Sequence, residues 1–140
     1  MGACFVTTDP ARVDREMVYG FLSQSYWSKG IPPEVFERSI ANSLCFSLYD
    51  DHQQVGFARV VTDRATFAYL ADVFVLPTHR GRGLSRLLMD AIVGHPELQG
   101  LRRWVLATRD AHGLYARYGF TPLAHADLFM ERWDPRVYQR

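Results

Sequence analysis

Two places in this chain hold residues whose types and spacing suggest chemistry: the arginines and glycines of 80–86, and a lone aspartate at 72 inside an apolar run. The first suits an anion. Val73, Phe74, Val75 and Leu76 form an apolar run of strand type that stops at Pro77. Leu84, Leu87, Leu88, Ala91 and Ile92 then recur at helical spacing, so a helix must begin near Gly83. Between the two, Gly81 and Gly83 let the backbone turn tightly and let a bulky ligand approach the main chain. The first amides of the new helix have no acceptor of their own, and the positive helix end favours phosphate. Arg80, Arg82 and Arg86 concentrate charge there in a chain whose formal net charge is only +1. Taken alone, Gly-Arg-Gly also reads as a solvated turn before a helix. A dinucleotide loop would need a third glycine where Arg86 stands, and a Walker A loop needs a Gly-Lys-Ser/Thr ending that is absent.

Asp72 interrupts Leu70-Ala71-Asp72-Val73-Phe74, and a polar group buried in such a run needs a partner or a purpose. Two readings stay open: a proton acceptor raised in basicity by burial, or a structural hydrogen bond to a neighbouring loop. Asp63, His79 and His112 lie in turns or at a helix start and are poorer candidates.

The elements that must position these residues follow in chain order. Cys4–Thr7 reads as a strand, and Asp9-Pro10 as a helix start, with Val13, Met17 and Phe21 along one face. The segment from Ser25 to Pro33 breaks that helix, and Val35, Phe36 and Ile40 mark a second one. Strands are expected over Leu44–Tyr49, Gln54–Thr62 and Thr66–Leu76, joined by short polar turns that make antiparallel neighbours. After the glycine loop and its helix, Trp104–Thr108 reads as a fifth strand, parallel to the fourth by a right-handed crossover. Ala111, Leu114, Tyr115 and Tyr118 suggest a short helix closed by Gly119. Phe120–Leu123 and Leu128–Trp133 are expected to finish the sheet.

A chain of 140 residues, 48% hydrophobic and 14% aromatic, is most simply one globular domain over 1–140. Near-balanced charge gives no nucleic-acid footprint. No apolar run is long enough to span a bilayer and no signal peptide is apparent, so no membrane partner and a cytoplasmic location are expected. Cys4 and Cys45 are too few and too far apart for a disulfide framework or a zinc site, and no metal is expected.

Arg80-Gly81-Arg82-Gly83-Leu84-Ser85, following Val75-Leu76-Pro77, resembles the coenzyme A pyrophosphate loop of the GNAT superfamily, the acyl-CoA-dependent N-acyltransferases, with the pattern [QR]-x-x-G-x-[GA]. Ser85 stands where the family has glycine or alanine. A second signature lies about thirty residues on. Ala111, Leu114, Tyr115, Gly119 and Phe120 match N-x-x-A-x-x-L-Y-x-x-x-G-F, with Thr108 where asparagine is usual.

The resemblance implies an α/β (α+β) fold: a mixed, mostly antiparallel sheet flanked by helices and splayed between its fourth and fifth strands. It implies acetyl-CoA as acyl donor, held by Arg80 to Ser85 and by main-chain groups at Phe74 and Val75, and transfer to a primary amine in a ternary complex. Tyr115 is at the family's position for the proton donor to the departing thiolate, and a phenol with an ordinary pKa of about 10 can donate at neutral pH. As a residue it also reads as a core aromatic. Asp72 sits about where the family often carries an acidic residue. The acceptor would meet the first two helices and their connection, where Tyr26 and Trp27 either bind it or pin that loop to the core. A non-catalytic acyl-CoA sensor or partner-binding module is the alternative. A homodimer is expected by resemblance alone, since no exposed apolar segment is apparent in the sequence.

Overall fold

The structure is a computed structural model that describes residues 3–139. Five strands, β1 (Cys4–Thr7), β2 (Leu44–Asp50), β3 (Gln53–Thr62), β4 (Phe67–Val75) and β5 (Arg103–Leu106), form one sheet in sequence order. The first four are antiparallel neighbours, and β5 runs parallel to β4. The helices are α1 (Arg15–Leu22), α2 (Pro33–Ala41), α3 (Leu84–Val93) and α4 (His112–Ala116). This is the expected mixed, mostly antiparallel sheet flanked by helices.

Both faces of the sheet are covered, which is why β2 reads as a near-continuous apolar run. Leu44, Phe46 and Leu48 point, at the strand period of two, into a core shared with Leu88, Met89 and Ile92 of α3. On the other face, Cys45 and Phe57 pack with Val18 and Leu22 of α1 and Phe36 and Ile40 of α2. Helix α1 begins five residues later than the Asp9-Pro10 signal suggests. Asp9 caps only a 3-10 turn at Pro10–Arg12, and Asp14 caps α1 by accepting from the Met17 amide at 3.2 Å.

The end of the chain departs from expectation. Neither Phe120–Leu123 nor Leu128–Trp133 joins the sheet, and β5 is an edge. Pro122 has no amide to give a ladder, and a 3-10 turn at Ala126–Leu128 takes Leu128 out of extended backbone. Among the described residues no helix is long and apolar enough to cross a membrane, and no cluster of three His, Cys, Asp or Glu is arranged to hold a metal.

Candidate active site

The sheet opens where β4 outruns β5. Their pairing runs from Phe67↔Arg103 to Leu70↔Leu106 and stops, while β4 continues to Val75, so its edge beyond Leu70 has no strand against it. A β-bulge lies at that point. Phe57 pairs with Phe74 and Arg59 with Ala71, so Asp72 and Val73 together oppose Ala58. Asp72 takes the left-handed backbone conformation this requires, with φ of 56°, which aspartate tolerates better than most residues. The splay and the bulge open a cavity of about 740 Å³, lined among others by Phe21, Trp27, Asp72, Phe74, Thr108 and Tyr115.

Both oxygens of Asp72 are engaged. Arg59 Nε donates to Oδ2 at 2.7 Å and Trp27 Nε1 donates to Oδ1 at 2.8 Å, while Arg59 Nη1 also donates to Ser43 Oγ at 3.1 Å. The Asp72 side chain is 10% exposed, so these are partly desolvated, charge-assisted bonds that strongly fix geometry. Trp27 is thereby tied to the bulge. Phe21 of α1 stacks on Phe74 with centroids 3.9 Å apart, so the helix as well as the connection that follows it is fastened to β4. At the mouth, Arg109 lies 3.6 Å over the Tyr26 ring, so the α1–α2 connection meets the segment after β5 across the cavity.

Tyr115 enters from α4. It is 8% exposed, with its ring edge-on to Phe120, yet its hydroxyl makes no hydrogen bond among the described residues and it lines the cavity. Burial, and then the neighbouring Tyr26, push its phenol above the ordinary tyrosine range, so it is protonated throughout neutral pH. Tyr118 is committed elsewhere. Its hydroxyl bonds Asp90 at 3.0 Å on α3, and it does not line the cavity.

The glycine loop sits at the end of β4. Gly81 and Gly83 have φ of 80° and 75°, and a Cβ built at either meets nothing within 4 Å, so backbone sign and not crowding requires glycine. The space above the loop is open. The amides of residues 81–86 find no acceptor among the described residues; the first helical bond in line is Leu87 N to Gly83 O at 3.3 Å. Leu84 is buried and anchors the helix start in the core. Arg80 folds back, its Nε donating to Val75 O at 3.0 Å, and so braces the strand end. Asp50 at the end of β2 steadies the loop through His79 Nε2 at 3.3 Å and Arg82 Nη2 at 3.5 Å. An anion thus meets free amides with Arg82 and Arg86 nearby, which fits the pyrophosphate of coenzyme A.

β3 supports the strand end from behind. Gly56 pairs with Val75, and a Cβ there would lie 2.9 Å from Phe74 O and 2.8 Å from Leu48 Cδ2. The carbonyl is backbone and has little room to yield. Gly56→Ala is expected to cost about 1–3 kcal/mol, as overpacking does. A urea midpoint lowered at constant slope would check this, and an unchanged midpoint would contradict it.

The structure brings Tyr26, Trp27, Asp72, Phe74, Arg80 and Tyr115 to one cavity, whereas Val75 and the loop residues Gly81, Arg82, Gly83, Leu84 and Ser85 adjoin Phe74 and Arg80 in the chain without lining it. Asp63 is outside it. Hydrogen bonds from the Thr66 backbone and side chain, and then from the Ala65 and Phe67 amides, hold its carboxyl well below the usual range as a turn cap. Cys45 is buried, and burial pushes its thiol up to about 11. It is protonated at neutral pH and sits in the core. Arg59 and Arg109, both in the cavity, were not singled out from sequence. Arg59 had a signal, a single charge inside the apolar run Val55–Val61. Arg109 had none.

Comparison with known proteins bears on this site. The family described as Acetyltransferase (GNAT) domain matches residues 41–122. A GNAT-family protein from Xanthomonas campestris pv. campestris, solved as a crystal structure, is 55% identical, with a TM-score of 0.96 over 100% of this chain and 99% of its own. An acetyltransferase candidate from Gibberella zeae is 31% identical over 83% of this chain and 77% of its own length. An acetyltransferase candidate from Clostridium acetobutylicum, solved with acetyl-CoA, shares the fold at 16% identity, with a TM-score of 0.67 over 95% of this chain and 96% of its own.

Proposed function

Because this chain belongs to the GNAT acetyltransferase family, we propose that it transfers an acetyl group from acetyl-CoA to a primary amine, directly, in a ternary complex. The observation that carries the reading is the adjacency of three features: the unpaired edge of β4 beyond Leu70 and the unbonded hydroxyl of Tyr115 at one cavity, and the free amides of 81–86 directly after Arg80, which lines it. Acetyl-CoA supplies the activated thioester. The loop amides, Arg82 and Arg86 hold its phosphates. The open edge at Phe74 and Val75 hydrogen-bonds the pantetheine arm, and a main-chain N–H there stabilises charge developing on the carbonyl oxygen.

The amine approaches from the side of Tyr26 and Trp27. Its nitrogen bonds to the acetyl carbon as the carbon–sulfur bond breaks. Tyr115 gives its proton to the sulfur and is reprotonated from solvent, while the amine gives its proton to water in the open cavity. Neither cysteine is placed to carry the acetyl group, since Cys45 is in the core and Cys4 is in the edge strand β1.

We assign Asp72 to positioning, not to proton abstraction, because both its oxygens already accept from Arg59 and Trp27. Asp72→Asn separates the roles, since asparagine also tolerates positive φ and can still accept from Trp27. The expected outcome is a KM for amine raised several-fold and a shifted indole N–H resonance of Trp27, with kcat lowered less than about tenfold and the acid limb of its pH profile in place. A general base would instead lose about 10²–10⁴ in kcat together with that limb.

Initial-rate patterns test the proposed route. Direct transfer gives intersecting lines when acetyl-CoA and amine are varied together, and parallel lines would reveal a covalent acyl-enzyme and overturn it.

A further inference from the structure

The side of the cavity where the amine enters carries one cation that nothing neutralises. The other arginines of the lining are committed, Arg59 to Asp72 and Ser43 and Arg80 to Val75 O. Arg109 makes no ion pair or side-chain hydrogen bond among the described residues, and what holds it is the face of Tyr26, 3.6 Å from Cζ to the ring centroid. A guanidinium comes that close only by lying flat, since standing on edge would drive its nitrogens into the ring. Its N–H donors therefore spread outward in one plane, in the fork that fits a carboxylate.

This fork is in place before any ligand arrives. Tyr26 stands edge-on to Trp27 with ring centroids 5.0 Å apart, and the Trp27 indole is bonded to Asp72. A line of contacts thus runs from the β4 bulge to the guanidinium and fixes where it sits, which spares a ligand part of the ordering cost. Tyr26 is 59% exposed and Trp27 42%, so aromatic surface beside the cation is left for an apolar body. Asp110, next in the chain, also lines the cavity and pairs with no cation among the described residues. It complements an ammonium and disfavours a second carboxylate on the same ligand.

We infer that Arg109 selects the acceptor: an amine that also carries one carboxylate and an apolar body, which is the chemistry of an amino acid with an apolar side chain. The carboxylate lies on the guanidinium fork, the apolar body lies against Tyr26 and Trp27, and the amine is left free to face the thioester. The inference rests on the acetyl transfer proposed above and names the class of amine that it serves.

Matched ligands separate binding from transfer. Phenylalanine and leucine are each compared with the carboxamide and the decarboxylated amine of the same body, so that only the amino acid carries the carboxylate. Titrated calorimetrically into the coenzyme A complex, each amino acid is expected to bind about 10–100-fold more tightly than its two analogues, the range that charge-assisted hydrogen bonds supply. In Arg109→Gln that ratio is expected to collapse to near unity, with coenzyme A affinity reporting an intact fold. Wherever product forms, kcat/KM should follow the same order, and amine basicity cannot produce it, because the carboxamide is the weaker base and presents more free amine. A parent that binds the carboxamides as tightly as the acids, a parent that binds neither amino acid at millimolar concentration, or a glutamine variant that keeps the preference overturns the assignment. A carboxylate preference that Arg109→Gln abolishes, with no acetylated product from any amine, upholds the assignment and contradicts the transfer reading instead.

Discussion

Tyr115→Phe is expected to lower kcat by about 10²–10³-fold while the affinity for coenzyme A stays within about twofold, because the substitution removes a proton donor and nothing else. That loss corresponds to about 3–4 kcal/mol of barrier. The ring keeps its packing against Phe120, and the hydroxyl it loses has no hydrogen bond whose partner would be left unsatisfied. Stability should therefore hardly change, and thermal melts of the two proteins should nearly superimpose. The pH profile carries a further sign. The donor must be protonated, and burial raises its pKa, so the alkaline limb of kcat in the parent lies above the ordinary tyrosine range and disappears in the variant. A limb near neutrality, or a variant with parental kcat, would remove Tyr115 from the chemistry.

Gly83→Val is expected to weaken coenzyme A binding by tenfold or more with little change in the body of the fold. The cause differs from the one suggested by a tight glycine turn. A side chain at 83 would clash with nothing, but φ of 75° places a β-branched residue in the left-handed region at a cost of about 1–3 kcal/mol. The loop relieves that strain by rotating, and the amides of 84–86 then point away from the phosphate. Gly83→Asn is the control, since asparagine tolerates this backbone far better, and it should recover most of the affinity. Calorimetry that found valine and asparagine equivalent would locate the phosphate elsewhere.

Legibility in the sequence followed the range of the interactions. The loop from Arg80 to Ser85 was readable because strand end, glycines and helix start are adjacent, and its conformation is set locally. Tyr115 was singled out only through the signature around it, because no local feature separates a donor phenol from a core aromatic. Asp72 was visible as an anomaly, but its partners were not. Arg59 lies thirteen residues away and Trp27 forty-five, and both bonds depend on strand register and a bulge that flips one residue to positive φ. The same bulge explains how β4 leaves β5, which alternation along the strand does not encode. The segment 128–133 has strand composition and was read as a strand. Composition specifies a preference for extended backbone and not a place in the sheet, and here the segment stays outside it.

The most direct measurement is a mass-spectrometric and thiol assay with acetyl-CoA and a panel of amines spanning amino acids, polyamines, aminoglycosides and lysine peptides. At least one amine should yield its N-acetyl product and free coenzyme A in equal amounts, above the amine-free rate, in the parent and barely in Tyr115→Phe. Tight binding of acetyl-CoA, with no amine accelerating thiol release in the parent, would contradict the account and leave a coenzyme-binding module without transfer chemistry.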